Sequence, residues 1–275
     1  MKKLLTYTVC DLIPYINWVY FYYAWQVKNS AEQEWLRQEA ENALQQIQDR
    51  YHAYALFYIG DANSDGDDIV WHPAPDLPQG LRLPLLRQQK EVADGRPNLC
   101  LADFVKPLTK GAKDCVGLFA TTVDMGMETD FSSDDYMKMM IQLLADRLAE
   151  AAAERMHEEV RRKYWGYVPH EQLTMEELHL EKFQGIRPAV GYPSLPDTSV
   201  NFVLSEALGM KDIGIRLTES GAMKPHASVS GLMIAHPAAR YFMLGKIGED
   251  QLHDYASRRG IPVELMRRFL SANLK

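Results

Sequence analysis

Arg187 stands near the start of the segment Gly185–Asp197, GIRPAVGYPSLPD, which contains three prolines and two glycines. Each proline holds φ at about −65°, lacks a backbone N–H and moves the preceding residue out of helical geometry, so we expect an extended ribbon. Such a ribbon presents backbone groups in a fixed arrangement that suits a small polar ligand. The guanidinium of Arg187 can bind a carboxylate through two parallel hydrogen bonds. Proline-rich segments are more commonly plain connectors, so the pattern alone leaves a structural role open.

The loop Asp61–His72, DANSDGDDIVWH, begins like a calcium-binding EF-hand loop, with Asp or Asn at alternate positions and Gly66 at the sixth. Its twelfth residue is His72, where that motif needs a bidentate glutamate. Strand-like sequences flank it, whereas an EF-hand loop joins two helices. We therefore expect a polar hairpin turn and no calcium site.

Other signatures of catalysis are absent from the sequence. None of the eight histidines lies in an H-E-x-x-H pattern or another paired spacing typical of zinc ligands. The chain also lacks a G-x-S-x-G elbow, a P-loop and a G-x-G-x-x-G turn after a strand. The sequence predicts neither a catalytic nucleophile nor a resident metal.

The composition indicates a folded chain without a general affinity for polyanions. Its 275 residues are 47% hydrophobic and 24% charged, enough for a substantial core, and its formal net charge is −7. A negative chain has no general attraction to nucleic acid or to an anionic membrane. The stretch Leu12–Trp25, LIPYINWVYFYYAW, is too short to span a bilayer and contains Asn17. We expect its aromatic side chains to pack in a core or line a pocket.

The cysteines favour a reducing compartment. Cys10, Cys100 and Cys115 are odd in number and widely spaced, which is not typical of a disulfide framework or a zinc knuckle. The start MKKLLTYTVC offers an alternative, an export signal that ends at Cys10, but Val9 is a poor residue just before a cleavage point and the apolar run is short. We predict a cytoplasmic protein.

The residue patterns of the first two thirds predict both helices and strands. An exposed amphipathic helix should begin at Ser30, where Gln33 completes a capping box. The runs YALFYIG and DIVWHP predict two strands that form a hairpin. A long helix without glycine or proline should begin near Ser132 and be mostly buried over Met140–Ala153.

The last third predicts a short helix, Ser199–Leu208, that Gly209 ends. Three strand-like runs follow, IGIRLTES, ASVSGLMIAH and RYFMLGKI, with turns short enough for an antiparallel meander. Two closing helices should begin at Glu249 and Pro262. We predict an α+β fold, a single domain over residues 1–275 with a twisted antiparallel sheet braced by one long helix.

Several motifs resemble one known family. GIRPAVGYPSLPD resembles the R-P-A-x-G-Y-P signature of the C-terminal reactivation domain of cobalamin-dependent methionine synthase, which binds S-adenosylmethionine. The chain resembles that domain in the same order from about Asp11 to Leu274, at LADFVKP, LADRLAEAAAERMHEEVRRKYWGY, RLTESGAM, ASVSG, HPAARYF and DYASRRG. Chance does not account for a match over nearly the whole chain.

The resemblance implies a C-shaped domain that supports reductive remethylation of cob(II)alamin. In that family an electron arrives from flavodoxin or a similar reductase, and the methyl group comes from S-adenosylmethionine. The uphill reduction is drawn forward by irreversible methyl transfer, and binding energy positions the sulfonium methyl over cobalt. The chain would bind S-adenosylmethionine, and a partner protein would carry the cobalamin.

The resemblance also assigns roles to residues of the ribbon. It implies that Arg187 holds the carboxylate of the ligand and that Ala189 and Gly191 contact the ligand through their backbone. It further implies that Tyr192 faces the corrinoid.

Residues outside the ribbon complete the implied site. Tyr241 and Phe242 match an aromatic pair that lines it, and Glu150 and Glu181 align with acidic residues near the cationic ligand. By itself Glu150, with charged neighbours three and four residues away, is typical of an exposed helix face.

The sequence departs from the family at two places. The family's I-D-W uses its aspartate to bind the amino group of the ligand, whereas INW supplies Asn17, which accepts a hydrogen bond but carries no charge. Gly221, Lys224 and His226 stand where the family prefers Phe, Trp and Gly. Since charge-assisted hydrogen bonds are about twice as strong as neutral ones, we expect Asn17 to weaken ligand binding.

The chain is also too short for the homocysteine, folate and cobalamin modules, and it contains no D-x-H-x-x-G cobalamin motif. We therefore expect it to act in trans on a cobalamin-binding methionine synthase that lacks this domain. Two alternatives stay open. The chain could be an interaction module of the same fold that has lost ligand binding, or a reactivator of another corrinoid methyltransferase.

Overall fold

The computed structural model describes residues 1–90, 95 and 97–275. The strands are β1 (Lys2–Thr8), β2 (His52–Asp65), β3 (Asp68–Trp71), β4 (Leu81–Pro84), β5 (Asp114–Val123), β6 (Arg216–Leu217), β7 (Met223–Lys224) and β8 (Ser228–Met233). The helices are α1 (Val9–Leu12), α2 (Trp18–Ala24), α3 (Ser30–Ile47), α4 (Gly126–Thr129), α5 (Asp135–Glu159), α6 (Met175–His179), α7 (Val200–Leu208), α8 (Glu249–Arg259) and α9 (Val263–Phe269).

An antiparallel sheet forms the centre of the molecule. Its strand order is β4-β3-β2-β5-β8. β1 pairs with the first half of β2, along the same edge of β2 that pairs with β3 further on. β2 is 14 residues long and pairs with β1, β3 and β5. The predicted α+β class, with an antiparallel sheet and a long helix, is confirmed.

The two faces of the sheet carry separate hydrophobic cores. Neighbouring residues of a strand point to opposite faces, and Phe57 accordingly packs in the core that contains α5. Leu56 and Tyr58 pack in the other core, together with the buried side of α7. Both faces of β2 are therefore apolar and covered.

The helix α5 braces the sheet because small side chains let it lie close to the strands. Ala149 is fully buried, and its carbonyl accepts a hydrogen bond of 3.0 Å from the hydroxyl of Thr121 on β5. After Glu159 the helix widens into a π-helical turn at Val160–Tyr164. The predicted long helix, mostly buried over Met140–Ala153, is confirmed.

The hairpin of β2 and β3 is confirmed, but its turn is shorter than predicted. β2 continues through Asp65, so most of the polar segment is strand and not turn. Asp65 and Asp68 each accept a hydrogen bond of 2.6 Å from Arg82. Over the described residues, no group of His, Cys, Asp and Glu side chains is arranged to hold a metal ion.

The predicted meander of the last third is wrong. Only β8 joins the main sheet, where it pairs with β5, while β6 and β7 form a separate two-stranded sheet. The run RYFMLGKI forms no strand. Its place beside β8 is taken by the proline-rich ribbon.

The aromatic stretch after Asn17 is less buried than predicted. It forms α2, and in a short helix on the surface only one face can meet the core. Phe21 is fully buried, whereas Tyr20 is 60% and Tyr23 is 82% exposed. Among the described residues no helix has both the length and the apolar character to cross a bilayer.

The helix α3 also differs from its prediction. Its N-cap is Asn29, whose side chain accepts a hydrogen bond of 2.9 Å from the N–H of Ala31, so Ser30 is the first helical residue. Leu36 and Leu44 are buried against the core, so the helix is amphipathic but not wholly exposed.

Candidate functional site

The proline-rich ribbon lies along the outer edge of β8. Backbone hydrogen bonds of 2.8–3.0 Å join Ile186 to Ile234 in both directions, Val190 to Ser230 and Leu232 to Pro188. Gly231 faces Ala189 across this pairing, and a Cβ at Gly231 would lie 2.1 Å from the carbonyl oxygen of Pro188. The predicted extended ribbon is confirmed, and the glycine of the neighbouring strand permits its close approach.

Alternate residues of the ribbon direct their backbone away from β8. Since Pro188 and Val190 bond to β8, Arg187 and Ala189 present their N–H and C=O groups to the other side. There the N–H of Arg187 donates to the hydroxyl of Tyr241 at 3.0 Å, and the carbonyl of Ala189 accepts from the N–H of Tyr192 at 3.3 Å. This is the side on which the backbone contacts predicted for Ala189 would be made.

The side chain of Arg187 is buried, with 8% exposed. Its Nη2 donates to Oε1 of Glu154 on α5, and its guanidinium lies 5.4 Å from the centre of the Phe119 ring. Burial lowers the pKa of Arg187, but Glu154 and Glu150 more than offset this and raise it overall. Arg187 is therefore a charged group that already faces a carboxylate.

Three carboxylates lie around this guanidinium. Glu150 is one helical turn before Glu154 on α5 and accepts a hydrogen bond of 3.3 Å from the hydroxyl of Tyr192. Glu181 lies at the exposed rim, where partial desolvation raises its pKa, Glu154 raises it further and Arg187 lowers it. Three carboxylates and one guanidinium leave an excess of negative charge, which suits a ligand that carries positive charge.

Two tyrosines frame the site. Tyr192 lies at the tip of a tight turn closed by a 2.8 Å hydrogen bond from the N–H of Gly191 to the carbonyl of Leu195, and it is 55% exposed. Gly191 has a φ of +89°, a conformation that favours glycine. Partial burial raises the pKa of Tyr241 to about 12, although Arg187 lowers it.

The structure separates Phe242 from Tyr241. The hydroxyl of Tyr241 contacts the ribbon, whereas Phe242 packs against the core that lies on the α7 side of the sheet. The two aromatic side chains therefore make different contacts, and only that of Tyr241 touches the ribbon beside Arg187.

Asn17 is the N-cap of α2, and its side chain accepts a hydrogen bond of 3.2 Å from the N–H of Val19. Two residues earlier, the hydroxyl of Tyr15 donates to Glu158, one turn after Glu154 on α5. The carbonyl of Tyr15 bonds to His179, two residues before Glu181. These contacts tie the segment that precedes Asn17 to α5 and to the end of α6.

Comparison with known proteins identifies the chain. The family model of the vitamin B12-dependent methionine synthase activation domain matches residues 8–260. The chain belongs to this family. The crystal structure of the MetH reactivation domain bound to AdoHcy is similar to this activation domain, with 37% sequence identity and a TM-score of 0.94 over 100% of this chain and 90% of that chain. The resemblance stated from the sequence motifs is confirmed.

The activation domain carries a polar stripe that the sequence interpretation missed in part. Glu150, Glu154 and His157 follow one another at intervals of four and three residues, which places them on one face of α5, and Arg161 follows four residues later in the π-helical turn. The rest of this stretch is rich in buried alanine. Charged residues at helical spacing in an otherwise buried helix were the signal that could have identified Glu154.

His157 lies in this stripe, fully buried, and neither ring nitrogen has a hydrogen-bond partner among the described residues. Burial lowers the pKa of His157, as do Arg161 and Arg187. Above about pH 6.5 the imidazole of His157 is neutral in both the folded and the unfolded chain. Below that pH the unfolded chain binds a proton that the folded domain does not, so stability is lost as the pH falls.

We expect His157→Met to reduce the acid sensitivity of the fold. The wild type should lose up to about 1.4 kcal/mol of unfolding free energy per pH unit through His157 as the pH falls from about 6.5 to 5. The free energy of unfolding of the variant, measured with urea at several pH values in this range, should change less steeply with pH. His253, whose side chain is 62% exposed, is the control, and His253→Met should keep the wild-type slope. Equal slopes in all three proteins would contradict the prediction.

A separate cavity of about 780 Å³ lies between the β3–β4 region and α7. Trp71, Leu77 and Phe202 contribute apolar walls, and Arg82 at its rim is already paired with acidic residues. No residue assigned to the site around Arg187 lines it.

Proposed function

We propose that this chain binds S-adenosylmethionine around Arg187 and supports reductive remethylation of cob(II)alamin on a separate cobalamin-dependent methionine synthase. The observation that carries the proposal is a buried guanidinium on a fixed ribbon, surrounded by Glu150, Glu154 and Glu181. Membership of the activation-domain family supports it, as does the AdoHcy found on the similar MetH domain.

The charges of S-adenosylmethionine match those of the site. Its carboxylate would bind Arg187, while its ammonium and sulfonium groups would lie near the carboxylates of Glu150, Glu154 and Glu181. The ribbon is already paired with β8, so little backbone ordering would accompany binding. This chain's part in the reaction would be to hold and orient the methyl donor.

The partner's cobalamin would supply the cobalt that accepts the methyl group, after one electron from flavodoxin or a similar reductase. Tyr192 would face the corrinoid, and its exposure at the tip of the ribbon turn leaves it accessible to a docking protein. All three cysteines are unpaired, which supports a cytoplasmic setting. The partner would be a methionine synthase that lacks this domain or, alternatively, another corrinoid methyltransferase.

Calorimetric titration with S-adenosylmethionine tests the proposal directly. We expect saturable binding and a rise in melting temperature, since a ligand that binds only the folded state stabilises it. 5′-Methylthioadenosine, which lacks the amino-acid end, should bind more weakly because it offers nothing to Arg187. The absence of both heat and thermal shift at millimolar S-adenosylmethionine would overturn the proposal.

One observation favours a second candidate, an interaction module that has lost ligand binding. Asn17 is uncharged where the family has aspartate, and its side-chain oxygen already caps α2. The titration above decides between the two functions.

Asn17→Asp should tighten S-adenosylmethionine binding by about 1 kcal/mol or more, because it adds a charge beside the ligand's ammonium. Aspartate caps a helix as well as asparagine does, so α2 should keep its stability. Titrations at several pH values should show the gain shrinking below about pH 4, where aspartate protonates. Weaker binding would show that the pocket has been rebuilt around asparagine, and unchanged binding would place residue 17 outside the ligand contacts.

A further inference from the structure

Glu154 and Arg187 form an ion pair whose hydrogen bonding is incomplete. One carboxylate oxygen of Glu154 accepts from Nη2 of Arg187. The other oxygen, Oε2, and the Nε of Arg187 are both buried without a partner in the described chain. Buried polar atoms without a hydrogen-bond partner are unfavourable. A bidentate ion pair would have given both of these atoms a partner. The two side chains therefore retain capacity for further polar partners.

The ion pair is also placed to meet a ligand. The side chain of Glu154 is 20% exposed and that of Arg187 is 8% exposed, so part of each lies at the surface of the site, while Oε2 and Nε lie just beneath it. Tyr241 fixes the backbone of Arg187 through a 3.0 Å hydrogen bond, and α5 fixes that of Glu154. The positive and the negative group are thus held side by side on two different rigid elements.

An α-amino acid carries a carboxylate and an ammonium, which complement the guanidinium of Arg187 and the carboxylate of Glu154. Its carboxylate and its ammonium are both attached to one carbon, so a guanidinium and a carboxylate in contact can bind both at once. The side-chain oxygen of Asn17 is engaged in capping α2 and carries no charge, so residue 17 cannot supply the counter-charge for an ammonium.

We infer that Glu154 is the residue that recognises the α-ammonium group of the bound ligand, in the place of the carboxylate that position 17 lacks. Arg187 binds the α-carboxylate, and Glu154 keeps its contact with Arg187 while it accepts from the ammonium. The inference rests on the proposed binding of S-adenosylmethionine, and it makes Glu154 a determinant of specificity for the amino-acid end of the ligand.

The test compares two ligands on Glu154→Gln, which keeps the shape and removes the charge. The ligands are S-adenosylmethionine and its 2-oxo analogue, in which a keto oxygen replaces the α-amino group. We expect Glu154→Gln to weaken S-adenosylmethionine binding at least about tenfold and the 2-oxo analogue less than about twofold. Glu34→Gln, the same change at an exposed position of α3, should leave both affinities unchanged.

Two outcomes would overturn the inference. Equal weakening of both ligands would show that Glu154 only orients Arg187, and tighter binding of S-adenosylmethionine would show that Glu154 competes with the ligand carboxylate. If Glu154→Gln does not fold, Glu154→Asp, which moves the charge away by one methylene, should weaken S-adenosylmethionine binding more than binding of the 2-oxo analogue, and equal weakening would again overturn the inference. Failure of the proposed function would look different, since the wild-type chain itself would then bind no S-adenosylmethionine.

Discussion

Arg187→Ala should weaken S-adenosylmethionine binding by about 2–5 kcal/mol, measured by calorimetric titration. The substitution removes a buried guanidinium and leaves three nearby carboxylates to repel the carboxylate of the ligand. Arg187→Lys should restore little of the affinity, because an ammonium does not reproduce the planar fork of donors. The exposed Arg216 provides a matched control, and Arg216→Ala should bind as the wild type does.

The same change should also lower the stability of the domain, since Glu154 loses its partner. The double variant Arg187→Ala with Glu154→Gln separates the two effects. Its melting temperature should recover, while its affinity should stay low. Affinity close to the wild-type value in either folded variant would show that the ribbon does not hold the ligand through Arg187.

Arg161→Met should reduce the free energy of unfolding by about 3–5 kcal/mol, as expected when one partner of a buried ion pair is removed. The Arg161 side chain is fully buried and donates to both carboxylate oxygens of Glu171, with a shortest distance of 2.6 Å. Its guanidinium also lies 4.3 Å from the centre of the Phe183 ring. The variant would leave the carboxylate of Glu171, whose side chain is only 9% exposed, without its counter-charge.

The next residue provides the control for this prediction. The Arg162 side chain is 48% exposed and bonds to Glu158, and we expect Arg162→Met to cost less than about 1 kcal/mol. Urea unfolding of the two variants measures the difference. The double variant Arg161→Met with Glu171→Leu should regain much of the lost stability, because an apolar pair can replace a buried ion pair. Equal losses from Arg161→Met and Arg162→Met would contradict the assigned burial.

Local rules predicted the elements whose geometry is set within a few residues. The ribbon follows from the sterics of Pro188 and Pro193, and α5 follows from a helical period without glycine or proline. Gly209 ends α7 as predicted, in the left-handed conformation. Each of these features needs no knowledge of distant parts of the chain.

The errors arise where a distant segment decides the outcome. RYFMLGKI has the composition of a strand, but the outer edge of β8 is already occupied by the ribbon, so no partner remains for it in the sheet. Aromatic composition predicted burial around Tyr20 and Tyr23, but α2 meets the core on one face only.

Within the site, sequence motifs predicted the residue types better than their contacts. The four-residue spacing of Glu150 and Glu154 places both on one face of α5, yet nothing local shows that Glu154 meets a guanidinium 33 positions along the chain. Phe242 was assigned to the site with Tyr241, and its ring packs against the core on the α7 side of the sheet, a contact that no local pattern indicates.

The pairing of the ribbon with β8 also covers one edge of the main sheet. The edge of an open sheet offers rows of free N–H and C=O groups on which another copy of a chain can form a strand, which is a common beginning of aggregation. Here the ribbon covers the edge of β8, and its own outward groups are partly used, since Tyr241 takes the N–H of Arg187 and Tyr192 bonds to the carbonyl of Ala189. The segment proposed to hold the methyl donor thus also leaves β8 without a free edge for strand addition.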